Sequence, residues 1–205
     1  MTPAPGRFDA VMAAIDAANA RDPTTIEIDG RREPAELVYG RRMSEMLARL
    51  SPAASEHLRI AARGQHVERW TSPRRDYPEG RAGYLEWRAN LKTFHAARLA
   101  VLMAAAGYAA ADVARVGALV RKEKLKSDPE AQTLEDVVCC VFLAHYVDGF
   151  MAKTDDDKLA GILAKTWRKM SEQGRAQALA LALPPAVPRL LERGLQKTPA
   201  ARAPD

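Results

Sequence analysis

Apolar residues recur every three or four positions along most of the chain, and no run alternates apolar and polar residues long enough for a substantial strand. The pattern predicts an all-α protein. A first helix spans Arg7 to Asn19, with Phe8, Val11, Met12 and Ile15 on one face. A loop follows through Asp22-Pro23 and Asp29-Gly30, in which Thr25 to Ile28 can form a short extended piece. The second helix begins near Pro34, a favourable first-turn residue, and carries Leu37, Val38, Met43, Met46, Leu47 and Leu50. Ser51-Pro52 stops it and starts a third helix that reaches about Trp70. Pro73, Pro78 and Gly80 make 71–80 a loop.

The fourth helix is long, from about Arg81 to Ala106, and Gly107 ends it. A fifth spans roughly Ala111 to Lys124. Ser127-Asp128-Pro129-Glu130 combines a cap, a proline and a first-turn acid, so a helix opens there and runs over about 129–151. Its stretch from Val137 to Leu143 is apolar almost all round, which predicts the central, buried helix of the fold. An amphipathic helix follows from Asp155 to Met170, and shorter ones start at Ser171 and Pro188. Residues 196–205 read as a disordered tail. The expected architecture is a single-domain multi-helix bundle over 1–195.

At 205 residues, 47% of them hydrophobic and 28% charged, the chain has room for one domain with a true core. No apolar run approaches the roughly 20 residues of a membrane-spanning helix, so no membrane partner is expected. The N-terminal Met-Thr-Pro-Ala-Pro-Gly-Arg lacks the layout of a signal peptide, and the expected compartment is the cytoplasm. Cys139 and Cys140 are adjacent in a buried helix, which supplies neither a disulfide framework nor a zinc ribbon. Charge changes the picture more. Between Arg59 and Arg98 stand nine Lys and Arg against four acids, which is the whole of the formal excess of +5. A concentrated positive patch attracts phosphates, nucleotides or nucleic acid; a solvated charged face is the plainer alternative.

Helical phase selects residues within that block. Arg81, Tyr84, Arg88, Lys92, His95, Leu99 and Met103 lie three or four apart and share one face of the fourth helix. The apolar end of this stripe must face the core. The same face then carries His95, Lys92 and Arg88 into a cleft or against carboxylates, because unpaired buried charge is too costly. Trp87, Leu91 and Phe94 lie alongside. On the third helix, Leu58, Ala62, Gln65, His66 and Arg69 align, so His66 continues an apolar stripe. On the helix from 129, Gln132, Asp136, Cys140, Leu143 and Val147 align and put Asp136 at its buried end. A lone inward histidine is more often a satisfied core residue. Two of them with an inward Asp, near a basic patch, point to a site.

Several segments carry a resemblance. Arg42-Met43, Ala61 to His66, Arg69-Trp70, Pro73-Arg74, Tyr77-Pro78, Gly83 to Arg88, Phe94-His95-Ala96 and Leu134 to Asp136 are very similar to the domain-of-unknown-function 4202 family. That family supplies no activity. More distantly, the order His66, His95, Asp136 resembles the metal ligands of the HD-domain phosphohydrolase superfamily. This implies an HD-domain-like helical fold and a metal-bound water that attacks a phosphoester. The chain departs from that pattern. The superfamily's Asp after the histidine is Val67, its earlier histidine falls near Tyr39, Arg41 and Arg42, and a further histidine position falls at Lys122.

The resemblance therefore implies His66, His95 and Asp136 as catalytic residues and as ligands of one divalent metal (Mn, Fe or Zn). A metal-free descendant holding its anion with Arg and Lys fits equally well. On either form the expected activity is hydrolysis of a nucleotide or other phosphorylated small molecule in a basic helical cleft. Arg88 and Lys92 would bind phosphate, with Arg69, Arg74 and Arg81 at the rim. Trp70, Tyr77, Tyr84 or Trp87 would wall the pocket or stack a base. A non-catalytic binding protein for RNA or a nucleotide is a second reading. A network of Arg–carboxylate pairs that merely holds helices together is a third.

Overall fold

The structure is a computed structural model and describes residues 6–197. The chain divides into two compact units, Met1–Leu134 and Glu135–Asp205. The first opens with helix α1 (Arg7–Asn19), followed by an antiparallel hairpin of β1 (Thr25–Ile28) and β2 (Arg31–Pro34). Ile28 pairs with Arg31 and Thr25 with Pro34. The intervening Asp29 and Gly30 both take positive φ (50° and 77°), the geometry of a tight two-residue hairpin turn. The extended piece at 25–28 was legible in the sequence; its partner strand was not, because Arg31-Arg32-Glu33-Pro34 has no apolar alternation.

Helices α2 (Ala35–Leu50), α3 (Glu56–Arg63), α4 (Gly80–Ala105) and α5 (Ala110–Arg121) complete this unit, with the first residues of α6 (Pro129–His145). Helix α4 packs on α5, and α3 packs on α2 and α5, while α1 touches α2, α3 and α4. The apolar stripes meet in a core of Val11, Ile15, Met43, Leu47, Leu58, Leu99, Met103 and Leu119. The all-α expectation holds, and most helix starts fall within a few residues of those the capping residues mark.

One boundary differs in a way that matters. Ser55, rather than Ser51-Pro52, caps α3 through a hydrogen bond from the Leu58 N–H to its hydroxyl. The helix then ends at Arg63 instead of running to Trp70. Gly64 lies hard against α4: a Cβ there would meet Leu99 Cδ2 at 2.4 Å. Beyond it the chain turns, Glu68 takes φ 51°, and a 3-10 turn forms at Arg69–Thr71. His66 and Arg69 therefore sit on a turn, and the helical phase used to align them with Leu58 does not apply.

Buried polar groups hold this turn in place. Asn19 accepts from the Glu68 N–H at 3.0 Å and donates to the Glu36 carbonyl at 3.3 Å. The Glu68 carboxylate takes Arg21 at 2.6 Å and also pairs with Arg98. Asp22 accepts from the Glu36 N–H at 3.0 Å, capping the start of α2. The loop into α4 is tied as firmly, with Arg74 donating to the carbonyls of Tyr77, Pro78 and Gly80 and Trp87 donating to that of Ser72.

In the second unit α6 ends at His145, short of the expected 151. Tyr146, at φ −126°, interrupts the helix, and a short α7 (Val147–Met151) continues. Helix α8 (Asp156–Lys169) is capped by Asp155 and α9 (Glu172–Leu179) by Ser171, as their sequences predict. Helix α10 (Ala186–Lys197) closes on α8 at Gly194, where a Cβ would lie 2.1 Å from the Ala160 carbonyl oxygen. Of the expected tail, Gln196 and Lys197 belong to α10, and 198–205 lie outside the described residues.

Gly83 offers a test of the loop clamp. A Cβ there would fall 2.0 Å from the Pro78 carbonyl oxygen, a backbone atom that the Arg74 bonds keep from moving aside. Gly83→Ala should lose about 1–3 kcal/mol in urea unfolding, as overpacked positions do, and an unchanged midpoint would show that the loop is free to shift.

Candidate functional site

The site lies in the first unit, where the turn after α3 faces α2 and α4. Its centre is His66. The ring stacks on Tyr39 with centroids 3.9 Å apart and planes within 8°. Arg69 reaches the Nε2 atom at 2.9 Å, and Glu36 lies 3.2 Å from Nδ1. A guanidinium can only donate, so Nε2 accepts and Nδ1 carries the proton, donating it toward Glu36. Arg69 also lies over the Trp87 ring at 4.9 Å and 3.9 Å from the Glu36 carboxylate. Burial first, and then the positive charge of Arg69, Arg88 and Lys122, hold the His66 proton affinity well below that of an ordinary histidine.

His95 lies beside it, the two ring centroids 5.9 Å apart. Only 3% of His95 is exposed. Its Nδ1 lies 2.9 Å from the Val67 carbonyl, which can only accept, so Nδ1 bears the proton and Nε2 presents a lone pair. Among the described residues, that Nε2 is buried without a hydrogen-bond partner. Burial, reinforced by His66, lowers the ring's pKa to about 3. Both histidines are therefore neutral. Burial also raises the Glu36 carboxyl to about 7, against the opposing pull of Arg69.

The basic block proves to be divided in purpose. Arg63 grips Asp16 with two bonds of 2.6 and 2.5 Å, Arg59 lies over Phe8, and Arg98 pairs with Glu68. Arg74, expected at the rim, is engaged by its own loop. Tyr77 lies in that loop and its hydroxyl accepts from the Asn90 amide of α4 at 3.4 Å. Arg88 and Lys92 are half-buried on α4, while Arg81 and Tyr84 are exposed near its start. Among the described residues Arg88 makes no ion pair, and its charge acts on both His66 and Arg69.

Asp136 belongs to the second unit and has a structural task there. Its Oδ1 accepts from the Ser171 N–H at 2.9 Å and its Oδ2 from the Ser171 hydroxyl at 2.5 Å, anchoring the start of α9. Gly174 leaves the space, since a Cβ there would lie 2.5 Å from the Asp136 carboxyl carbon. Among the described residues, no three or more His, Cys, Asp or Glu side chains gather in a way suited to a metal ion. Of the three expected ligands, His95 alone leaves a ligating atom open, its Nε2. The Nε2 of His66 is held by a guanidinium, the Nδ1 of His95 by a carbonyl, and both Asp136 oxygens by Ser171.

Glu36 is the participant that the sequence did not reveal. An acid in the first turn of a helix is expected for the dipole alone, and nothing in the pattern turned it inward. Tyr39 and Lys122, marked only as departures from the HD-domain pattern, do fall at the site: Tyr39 on His66, and Lys122 close enough to act on its proton affinity.

The family model described as a domain of unknown function (DUF4202) matches residues 9–191, and the chain belongs to that family. No curated protein and no solved structure matches it.

The neutral histidines set the acid limb of stability. Below pH 6.5 the unfolded chain takes up protons on His66 and His95 that the folded chain refuses, so stability present above 6.5 is lost as pH falls. Glu36 runs the other way, holding a proton in the folded state from about 7 down to its ordinary 4.5. A group whose proton is fully bound in one state and fully absent in the other is worth about 1.4 kcal/mol per pH unit. In His95→Phe the unfolded chain loses one of these uptakes, so the slope between pH 6.5 and 4.5 should fall by about 1.4 kcal/mol per pH unit. Chemical unfolding at several pH values measures it, and an unchanged slope would mean that His95 is protonated in the folded protein.

Proposed function

We propose that the chain is a phosphate-handling hydrolase acting on a nucleotide or other phosphorylated small molecule, at a metal-free site built on His66, His95, Arg69 and Arg88. The observation that carries this reading is the bare, buried Nε2 of His95 next to a cluster of cations. A buried acceptor without a partner costs about 1–3 kcal/mol, a penalty that an incoming donor such as water removes. Arg69, Arg88 and Lys122 supply the positive field in which a phosphate group is stabilised.

In this reading Arg88 holds phosphate oxygens, and Lys92 and Arg81, on the same face of α4, extend the field. A water donates to His95 Nε2 and its oxygen attacks phosphorus as the bond to the leaving oxygen breaks. The water's proton passes to Nε2, and the leaving oxygen is protonated from solvent. The free ring, at a pKa of about 3, is a weak base. A bound phosphate dianion would raise that value by favouring the imidazolium. Arg69 keeps the His66 ring neutral and in place, so that only one histidine is open to the proton.

Phosphate release from a panel of phosphorylated metabolites tests the proposal. Wild type should release phosphate from at least one of them, and His95→Ala should slow this by about a hundred- to ten-thousand-fold, the range for losing a general base. Arg88→Ala should mainly raise KM. Activity should survive chelation; loss on chelation with return on adding Mn²⁺ would overturn the metal-free form. Tight RNA binding that falls steeply with salt and ignores His95→Ala would instead favour a binding protein.

A further inference from the structure

The aromatic residues around the anion site differ in what they leave open. Tyr39 is buried against His66. Trp87 carries the Arg69 guanidinium over its ring, and its N–H is bound to the Ser72 carbonyl. Phe94 stands edge-on to His95, with ring centroids 5.5 Å apart. Trp70 and Tyr77 are half-buried in the turn and loop. Tyr84 alone among these is strongly exposed, at 47%. Its ring is tilted by 53° from that of Trp87 at a centroid distance of 5.9 Å, so the two rings touch without being stacked.

The place of Tyr84 on α4 gives the exposure meaning. It stands four residues, one helical turn, before Arg88, so the two side chains emerge on one face about 6 Å apart along the axis. A ribose bridges a span of that order between its 5′-phosphate and its base. We propose that Tyr84 is a stacking platform for a planar ring and that the site selects nucleoside phosphates over simpler phosphate esters. This rests on the anion site argued above and narrows its ligand class. Stacking of this kind tolerates any base, since each offers a π face, and larger rings gain more.

Calorimetric titration of wild type with inorganic phosphate, ribose 5-phosphate, UMP and AMP separates the two claims. The expected order is AMP tightest, then UMP, with AMP about tenfold tighter than ribose 5-phosphate, within the range found when stacking aromatics are removed. Tyr84→Ala should erase that preference and leave inorganic phosphate and ribose 5-phosphate unchanged, whereas Tyr84→Phe should keep it. Arg88→Ala should weaken all four ligands together. Equal binding of AMP and ribose 5-phosphate, or a preference that survives Tyr84→Ala, would overturn the platform while leaving the anion site standing. If none of the four binds wild type, the anion site itself falls, and the platform with it.

Discussion

The end of α3 at Gly64 is the constraint on which the candidate site depends. Leu99 of α4 fills the space that any larger side chain at 64 would need. The chain can pass this point only as a close turn, and the turn brings His66 and Arg69 back over α2 and α4. Its left-handed residue, Glu68, is held by two arginines and by Asn19. Without those bonds a non-glycine residue at φ 51° would carry unrelieved strain, and the position of His66 would be set by little else.

Most of what folds the chain can be read along it. Asp155 and Ser171 cap the helices that follow them, and Gly107 ends α4 at φ 84°. Helical phase also worked for α4, where His95, Leu99 and Met103 are buried and the stripe grows more exposed toward Arg81. It failed for His66, because periodicity carries no information about where a helix stops when the stop is imposed by a neighbour's side chain. Leu99 is thirty-five residues from Gly64 in sequence, and only the fold brings it there. Glu36 was hidden for a related reason: its inward direction is set by Asn19 and Asp22 across the hairpin.

Charge located the region but overstated how much of it can serve a ligand. Arg63 and Arg98 pair with carboxylates of other segments, Arg59 lies over Phe8 and Arg74 ties its own loop, so these four are engaged within the fold. A count of lysines and arginines cannot separate them from Arg88, because the difference lies in what stands opposite each in space. The same limit applies to Asp136. Its position on a buried face was read correctly, and its partner, a serine thirty-five residues later that caps another helix, was not foreseeable from phase.

What distinguishes the remaining cluster is that its charges do not cancel. A cluster built only for stability would be expected to match Arg69 and Arg88 with ionised carboxylates, since like charges near one another and near a buried ring destabilise the fold. Here the carboxylate beside His66 and Arg69, that of Glu36, is held partly protonated near neutral pH by burial, and the two histidines refuse protons for the same reason. The local excess of positive charge is thus maintained, not neutralised, over the pH range in which a phosphate monoester is a dianion. An anion entering would supply the missing charge and relieve the cations' repulsion. Its oxygens would also bring a donor-bearing water within reach of the bare nitrogen of His95. A purely structural cluster would gain nothing from either.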